Sequence, residues 1–268
     1  MLRADAARLD LVTVIAIALA AFSVTNFLHE GAGHGGACVA VGGNPIALSS
    51  IHFECDIADP TGSSGRVVAA AGTIVNLIAG TIAILMLKSV SAANNPHTYF
   101  FVWLFATINL LMGAGYFLFS GAGNIGDWAV IANGLLQPAI WRPSLAIFGL
   151  LLYFLMARIS SRAFRPLVGN DERSLRRGRQ LAMSAYFAGG ILYCVSGLFN
   201  PLGPALIAIS AAAASFGGAS GLLWLSELLR HFPGTGSAPD IGRSYGWIGT
   251  GVVSGAVFVA LLGPGILF

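Results

Sequence analysis

The chain has 268 residues, 56% hydrophobic and only 9% charged, with a formal net charge of +3 and a mean hydropathy of +0.79. Soluble domains carry about 25% charged residues, so an ordinary soluble core is excluded and a polytopic membrane protein is indicated. The basic residues gather in loops, where they set topology, so no nucleic-acid partner is expected and lipid is the surrounding medium.

Residues 1–10 are a short polar start with Arg3 and Arg8. The apolar run 11–28 predicts a first span that continues to about residue 41. Its length, and a charged cluster where a small-residue cleavage site would stand, argue against a cleavable signal peptide. Residues 43–65 form a polar loop whose stretch 46–54 alternates like a short strand or hairpin. Further spans are expected at about 67–87, 99–119, 144–156, 181–199, 202–225 and 245–262, most near the ~20 residues a bilayer requires. Residues 120–128 are too rich in glycine for a regular helix, and 127–136 form a further helical piece. Between the fourth and fifth spans, residues 158–179 make a basic loop with seven arginines. The fold class is therefore all-α and polytopic, with about seven transmembrane helices and a short extracytoplasmic loop or hairpin after the first. With the arginine-rich loop inside, twelve of the fourteen basic residues fall inside and only Arg66 and Arg142 outside. The N-terminus is then cytoplasmic and the C-terminus extracytoplasmic.

Within this apolar frame the informative stretch is His29-Glu30-Gly31-Ala32-Gly33-His34, late in the first span. Ionisable groups at membrane depth are costly and mark function by default. His-Glu followed closely by His is a zinc-hydrolase pattern, with the histidines on the metal and Glu30 as general base. Asp127, just past the third span, comes to the same outer side. Catalytic zinc takes three protein ligands and keeps one position for water, and His29, His34 and Asp127 would supply them for one Zn2+ per chain. The histidines are spaced i, i+5 instead of i, i+4. On an ideal helix at about 100° per residue they stand roughly 140° apart. A π-bulge at the glycines would absorb the extra residue. Alternatively, Glu30 and His34, a true i, i+4 pair, are the ligands and His29 stands behind them.

This constellation resembles the site-2 proteases, the intramembrane zinc metalloproteases, as an HExxxH variant of their HExxH motif. Ala71-Gly72-Thr73-Ile74-Val75-Asn76 is similar to that family's Ala-Gly-Pro-x-x-Asn segment, with Thr73 in place of proline. Asn109-Leu110-Leu111 followed by Gly126-Asp127 is similar to its Asn-Leu-x-Pro…Asp-Gly segment. The resemblance implies His29, His34 and Asp127 as zinc ligands, Glu30 as catalytic base, and Asn76 and Asn109 as supports for the site or the substrate backbone. It implies peptide hydrolysis within or near the bilayer, on a membrane-protein or peptide substrate. It covers about residues 11–136, so residues 1–136 are read as the metal-site core and 137–268 as accessory helices. The orientation derived from charge places the site outside, whereas family members typically place it toward the cytoplasm. The approach to Asp127 is glycine-rich where theirs is proline-rich.

Each residue also has a plainer reading. The histidine cluster could be an interfacial polar patch, Asp127 a helix N-cap, and Asn76 and Asn109 interhelical hydrogen-bonding residues. A non-catalytic metal-binding scaffold, or a metal or solute transporter, is the alternative function. Gly218-Ala219-Ser220-Gly221 resembles the Gly-x-Ser-Gly of rhomboids, but such a serine needs a base, and no histidine follows His231. His52 is expected to be an exposed loop residue. Cys38 and Cys55 both fall outside, as a disulfide or as two thiols; the spacing leaves both open, and the sequence leaves the oligomeric state open.

Overall fold

The computed structural model describes residues 7–135, 137–170, 174–201, 203, 207–232 and 236–268, with 207–210 described in backbone only. Helix α1 runs Leu11–Ala40. The Asp10 carboxylate caps its start by accepting the Thr13 N–H at 2.9 Å, the ordinary solution for an unpaired first-turn donor. A hairpin of β1 (Asn44–Leu48) and β2 (Phe53–Asp56) follows. Next come α2 (Ser63–Met86), α3 (Pro96–Gly123), the short α4 (Asp127–Ala132), α5 (Pro138–Val168) and α6 (Ser174–Gly197). Then come a π-helical segment α7 (Ile207–Gly218) and short turns to His231. The last helix is α8 (Tyr245–Leu262), and β3 (Ile266–Leu267) pairs antiparallel with β1, giving the sheet order β2-β1-β3.

The chain is thus mostly helical, and among the described residues five helices, α1, α2, α3, α5 and α8, are long and apolar enough to cross a membrane. Their outward faces carry large apolar side chains such as Ile78, Leu85, Leu151 and Val253. One end of the molecule gathers the starts of α1, α3, α6 and α8. The Asp10 N–H donates to the Ile241 carbonyl and the Ile241 N–H to the Arg8 carbonyl, and the His97 ring bonds the Gly242 carbonyl. There the buried Arg177 donates to the carbonyls of Leu167, Ala7 and Pro239. The opposite end carries the sheet and the finish of α1 and α8, joined where the Ser50 N–H donates to the Leu262 carbonyl. A Cys38–Cys55 disulfide fastens β2 to the last turn of α1.

Glycines set how closely these helices approach. A Cβ on Gly251 would lie 2.2 Å from the Ala16 carbonyl oxygen, and one on Gly149 2.3 Å from the Leu118 nitrogen. The segment expected to be irregular from residue 120 stays helical to Gly123. Gly121 is there because α5 passes against it, 2.5 Å from where a Cβ would be. The break comes at Asn124 (φ 57°) and Gly126 (φ 83°), the left-handed backbone that ends helices and favours these residue types. Helix α5 is much longer than the expected 144–156 span, so Arg158, Arg162 and Arg165 ride its last turns and do not lie in a loop. Arginine is a good helix former, and nothing in that stretch interrupts the helix before Pro166. The expected 202–225 span is broken after Gly218. Tyr153 Oη takes up the freed backbone groups, donating to the Gly218 carbonyl at 2.8 Å and accepting the Gly221 N–H at 2.7 Å. Irregular backbone among apolar helices requires such partners.

Candidate metal centre

The extra residue between the two histidines is absorbed by the backbone. From Leu28 to Gly35, α1 is π-helical, a form whose hydrogen bonds run i to i+5. That period sets His29 and His34 one above the other. Their Nε2 atoms are 3.2 Å apart, and the rings meet edge to face at 4.8 Å.

Asp127 reaches the same point from the first turn of α4. Its Oδ2 lies 3.6 Å from His29 Nε2 and 3.6 Å from His34 Nε2. Trp128 holds this turn: its Nε1–H donates to Thr73 Oγ1 at 3.2 Å, and its ring stacks on Phe117. Thr73 is therefore the anchor of the aspartate helix.

Each imidazole is held at its other nitrogen. His34 Nδ1 donates to the Val68 carbonyl at 2.7 Å. A carbonyl can only accept, so Nδ1 carries the proton and Nε2 presents a lone pair. His29 Nδ1 is 3.2 Å from the Asn76 side-chain amide, whose Oδ1 has no partner. The two amide orientations occupy the same volume. The one that turns Oδ1 onto His29 Nδ1–H bares the second Nε2 as well. Such outer hydrogen bonds are how metal-binding histidines are oriented.

Three atoms, His29 Nε2, His34 Nε2 and Asp127 Oδ2, therefore converge. Ligands about 2.0–2.2 Å from a tetrahedral zinc stand roughly 3.3 Å from one another, close to the 3.2 and 3.6 Å edges seen here. Asp127 Oδ2 is buried without a hydrogen-bond partner, and burial raises the carboxyl's pKa, His34 acting against it. A buried carboxylate without a donor is costly, and a cation held among these three atoms would offset that cost. The residues fit zinc, whose catalytic sites combine imidazole and carboxylate ligands.

The space for the two rings is cut by glycine. A Cβ on Gly72 would lie 2.6 Å from His34 Nε2 and 2.8 Å from His29 Nε2, and one on Gly33 2.6 Å from the Gly72 Cα. Helices α1 and α2 touch backbone to backbone at this level.

The triad opens into a cavity of about 730 Å³. Glu30, buried, lines it beside the triad without being one of the three converging donors. Asn76 supports His29, while Asn109 lies elsewhere: its Nδ2 donates to Thr25 Oγ1 and to the Phe105 carbonyl, tying α3 to α1 one turn before the site. His52 is an exposed hairpin residue, as expected, and also borders the cavity with Glu54. Partial desolvation lowers its pKa, Glu54 opposing. Ser220 also lines the cavity, with its Oγ 3.1 Å from Tyr153 Oη and no histidine bonded to it, so the rhomboid-like motif has no base. Residues after 136 contribute Tyr153, Tyr193, Ala213, Gly217 and Gly218 to the wall.

Tyr116, whose ring stacks on that of His29, and Trp128 and Thr73, which hold the aspartate turn, were not legible from the sequence. Two aromatic residues and a threonine in apolar helices carry no spacing signal, and only proximity to the histidines singles them out. No protein-family model, characterised protein or solved structure gives a significant match to the chain.

Proposed function

We propose that this protein is a membrane-embedded, zinc-dependent metallohydrolase that cleaves peptide bonds within or near the bilayer. The carrying observation is the triangle of His29 Nε2, His34 Nε2 and Asp127 Oδ2, with its unpartnered carboxylate oxygen opening into a cavity that also holds Glu30. Zinc bound there supplies Lewis acidity and lowers the pKa of water toward about 7. The chain's residues supply the rest. Val68 and Asn76 fix both imidazoles, and the helices around the cavity limit access of bulk water. Glu30 takes a proton from water as its oxygen bonds to the scissile carbonyl carbon, then delivers it to the amide nitrogen as the C–N bond breaks. A membrane-protein segment or apolar peptide is the substrate class that suits an apolar cavity at this depth.

We further infer seven crossings, with α6 and the segment 207–231 completing the five long apolar helices. The N-terminus would then be cytoplasmic, with the metal centre and the C-terminus toward the outside. The end of the molecule that holds Arg8, Arg177 and Arg243 is the one the positive-inside rule assigns to the cytoplasm.

The test is elemental analysis of protein purified in detergent without chelator, followed by a peptidase assay. Wild type is expected to hold about one zinc per chain. His34→Ala and Asp127→Ala are expected to hold none, and Glu30→Gln to keep the metal and lose hydrolysis. Wild type that remains metal-free after zinc reconstitution would refute the assignment.

A further inference from the structure

Tyr116 is a polar side chain in the cavity that the hydrolytic scheme above leaves without work. It stands in α3, seven residues beyond Asn109, and its ring lies on that of His29 with centroids 4.7 Å apart and planes 16° from parallel. It lines the same cavity as Glu30 and Asp127. It makes no hydrogen bond with any described residue. The other cavity tyrosines differ: Tyr153 Oη is engaged with Gly218, Ser220 and Gly221, and Tyr193 Oη donates to the Phe22 carbonyl. Tyr116 is half-buried and lines the cavity, so its unbonded hydroxyl beside a metal-site histidine is available to a ligand.

We propose that Tyr116 is a second catalytic residue, whose ring holds His29 and whose hydroxyl donates a hydrogen bond to the carbonyl oxygen under attack. This rests on the hydrolase reading. When the water oxygen bonds to the carbonyl carbon, the carbonyl π pair moves onto that oxygen, and the charge growing there needs a donor already in place. The triad residues and their immediate neighbours are unsuited. Glu30 and Asp127 are carboxylates, both histidines are spent on the metal, and Asn76 is turned to His29. The described cavity lining contains no lysine or arginine, so a donor that assists the metal there is a neutral one, and the tyrosine hydroxyl is such a donor. When the C–N bond breaks, the pair returns to the carbonyl and the hydrogen bond weakens, so the interaction favours the transition state over substrate and product.

Ring and hydroxyl separate by mutation. Tyr116→Phe keeps the stack and removes only the hydroxyl. Tyr116→Leu removes both. Both variants, with wild type, are to be titrated with zinc against a chromophoric chelator and assayed on a library of quenched-fluorescence apolar peptides. Tyr116→Phe is expected to bind zinc as wild type does and to lose about 100-fold in kcat at unchanged KM, the scale of one lost oxyanion donor. Tyr116→Leu is expected to lose about 10-fold in zinc affinity as well. Full activity in Tyr116→Phe would overturn the hydroxyl's role. Equal losses of zinc affinity in both variants would make Tyr116 a packing residue only and overturn it too. Wild type that binds zinc yet cleaves no peptide would refute the hydrolase reading, and this role with it.

Discussion

His29 and His34 are held by different means, and the difference predicts how each fails. His34 leans on a main-chain carbonyl, Val68, which no side-chain substitution removes. His29 depends on the Asn76 side chain and on Tyr116. Asn76→Ala is therefore expected to weaken zinc binding about 10- to 100-fold through His29 alone, read by chelator competition. Gly72→Ala strikes both rings at once, because its methyl would stand within 2.8 Å of both Nε2 atoms. The methyl would be fixed to the backbone of α2, so the two rings are what must move. Zinc binding is expected to vanish in that variant while circular dichroism keeps its helical signal; retained zinc would show that the two helices can separate. At this scale the sequence was a good guide wherever chemistry demands a rare residue. Histidines, a glutamate and an asparagine stand out in an apolar helix, so His29, Glu30, His34 and Asn76 were legible. Asn109 stood out for the same reason, yet its place is a helix-to-helix bond with Thr25. Unpaired polarity in a span is equally well explained by packing. Gly72 was visible within its motif but had no role, since the atom it must not have is invisible in a pattern.

Among the elements, α1 decides the site by its winding. An α-helical stretch would turn the two histidines apart. The π-helical stretch Leu28–Gly35 brings them to 3.2 Å, and the i, i+5 spacing signalled it because only one helical form repeats there. Ala32 is the exposed residue between the histidines, with buried Gly33 and His34 after it. Deleting Ala32 restores an i, i+4 pair and lets the segment relax toward α-helix, with both flanks in register. Zinc affinity is expected to stay within about 10-fold, since i and i+4 share a helix face. Inserting one further alanine at the same place is expected to abolish zinc binding. Loss of zinc in the deletion variant would show that the π-helical winding itself, and not the shared face, sets the ligand geometry. The glycine run before Asp127 was harder to read. Glycine weakens a helix interior by about 1 kcal/mol, which suggested irregular backbone from residue 120. Against that stands the approach of α5, which only glycine permits at Gly121. A single sequence does not reveal which neighbour a glycine serves.

Across the whole molecule, the metal-site helices do not enclose the cavity alone. Tyr153, Tyr193 and the Gly217–Gly218 break close it from the later half of the chain. The hairpin covers it from the end at which α1 and α8 finish, held there by Cys38–Cys55, by β3 and by the Ser50–Leu262 backbone bond. A disulfide at that end and Arg177 with its carbonyl partners at the other give the orientation a chemical test. Disulfides persist in oxidising compartments and arginine-rich ends stay in the cytoplasm, and both accord with the proposed orientation, in which the histidine cavity faces outward. Cells expressing a Cys194→Ser variant, which leaves only these two cysteines, can be treated with a membrane-impermeant maleimide. No labelling is expected until a membrane-impermeant phosphine has reduced the bond, and then labelling of both cysteines in intact cells. Reduction should also cost about 3 kcal/mol of stability, as expected for opening a loop of this length, and lower the unfolding midpoint of the purified protein. Labelling that requires broken cells would turn the site to the cytoplasm, and the basic end would then have to be explained by contact with something other than the inner leaflet. Labelling of intact cells without reduction would show two free thiols. The hairpin would then rest on β3 and Ser50 alone, and the roof of the cavity would be free to lift where Cys55 now holds it.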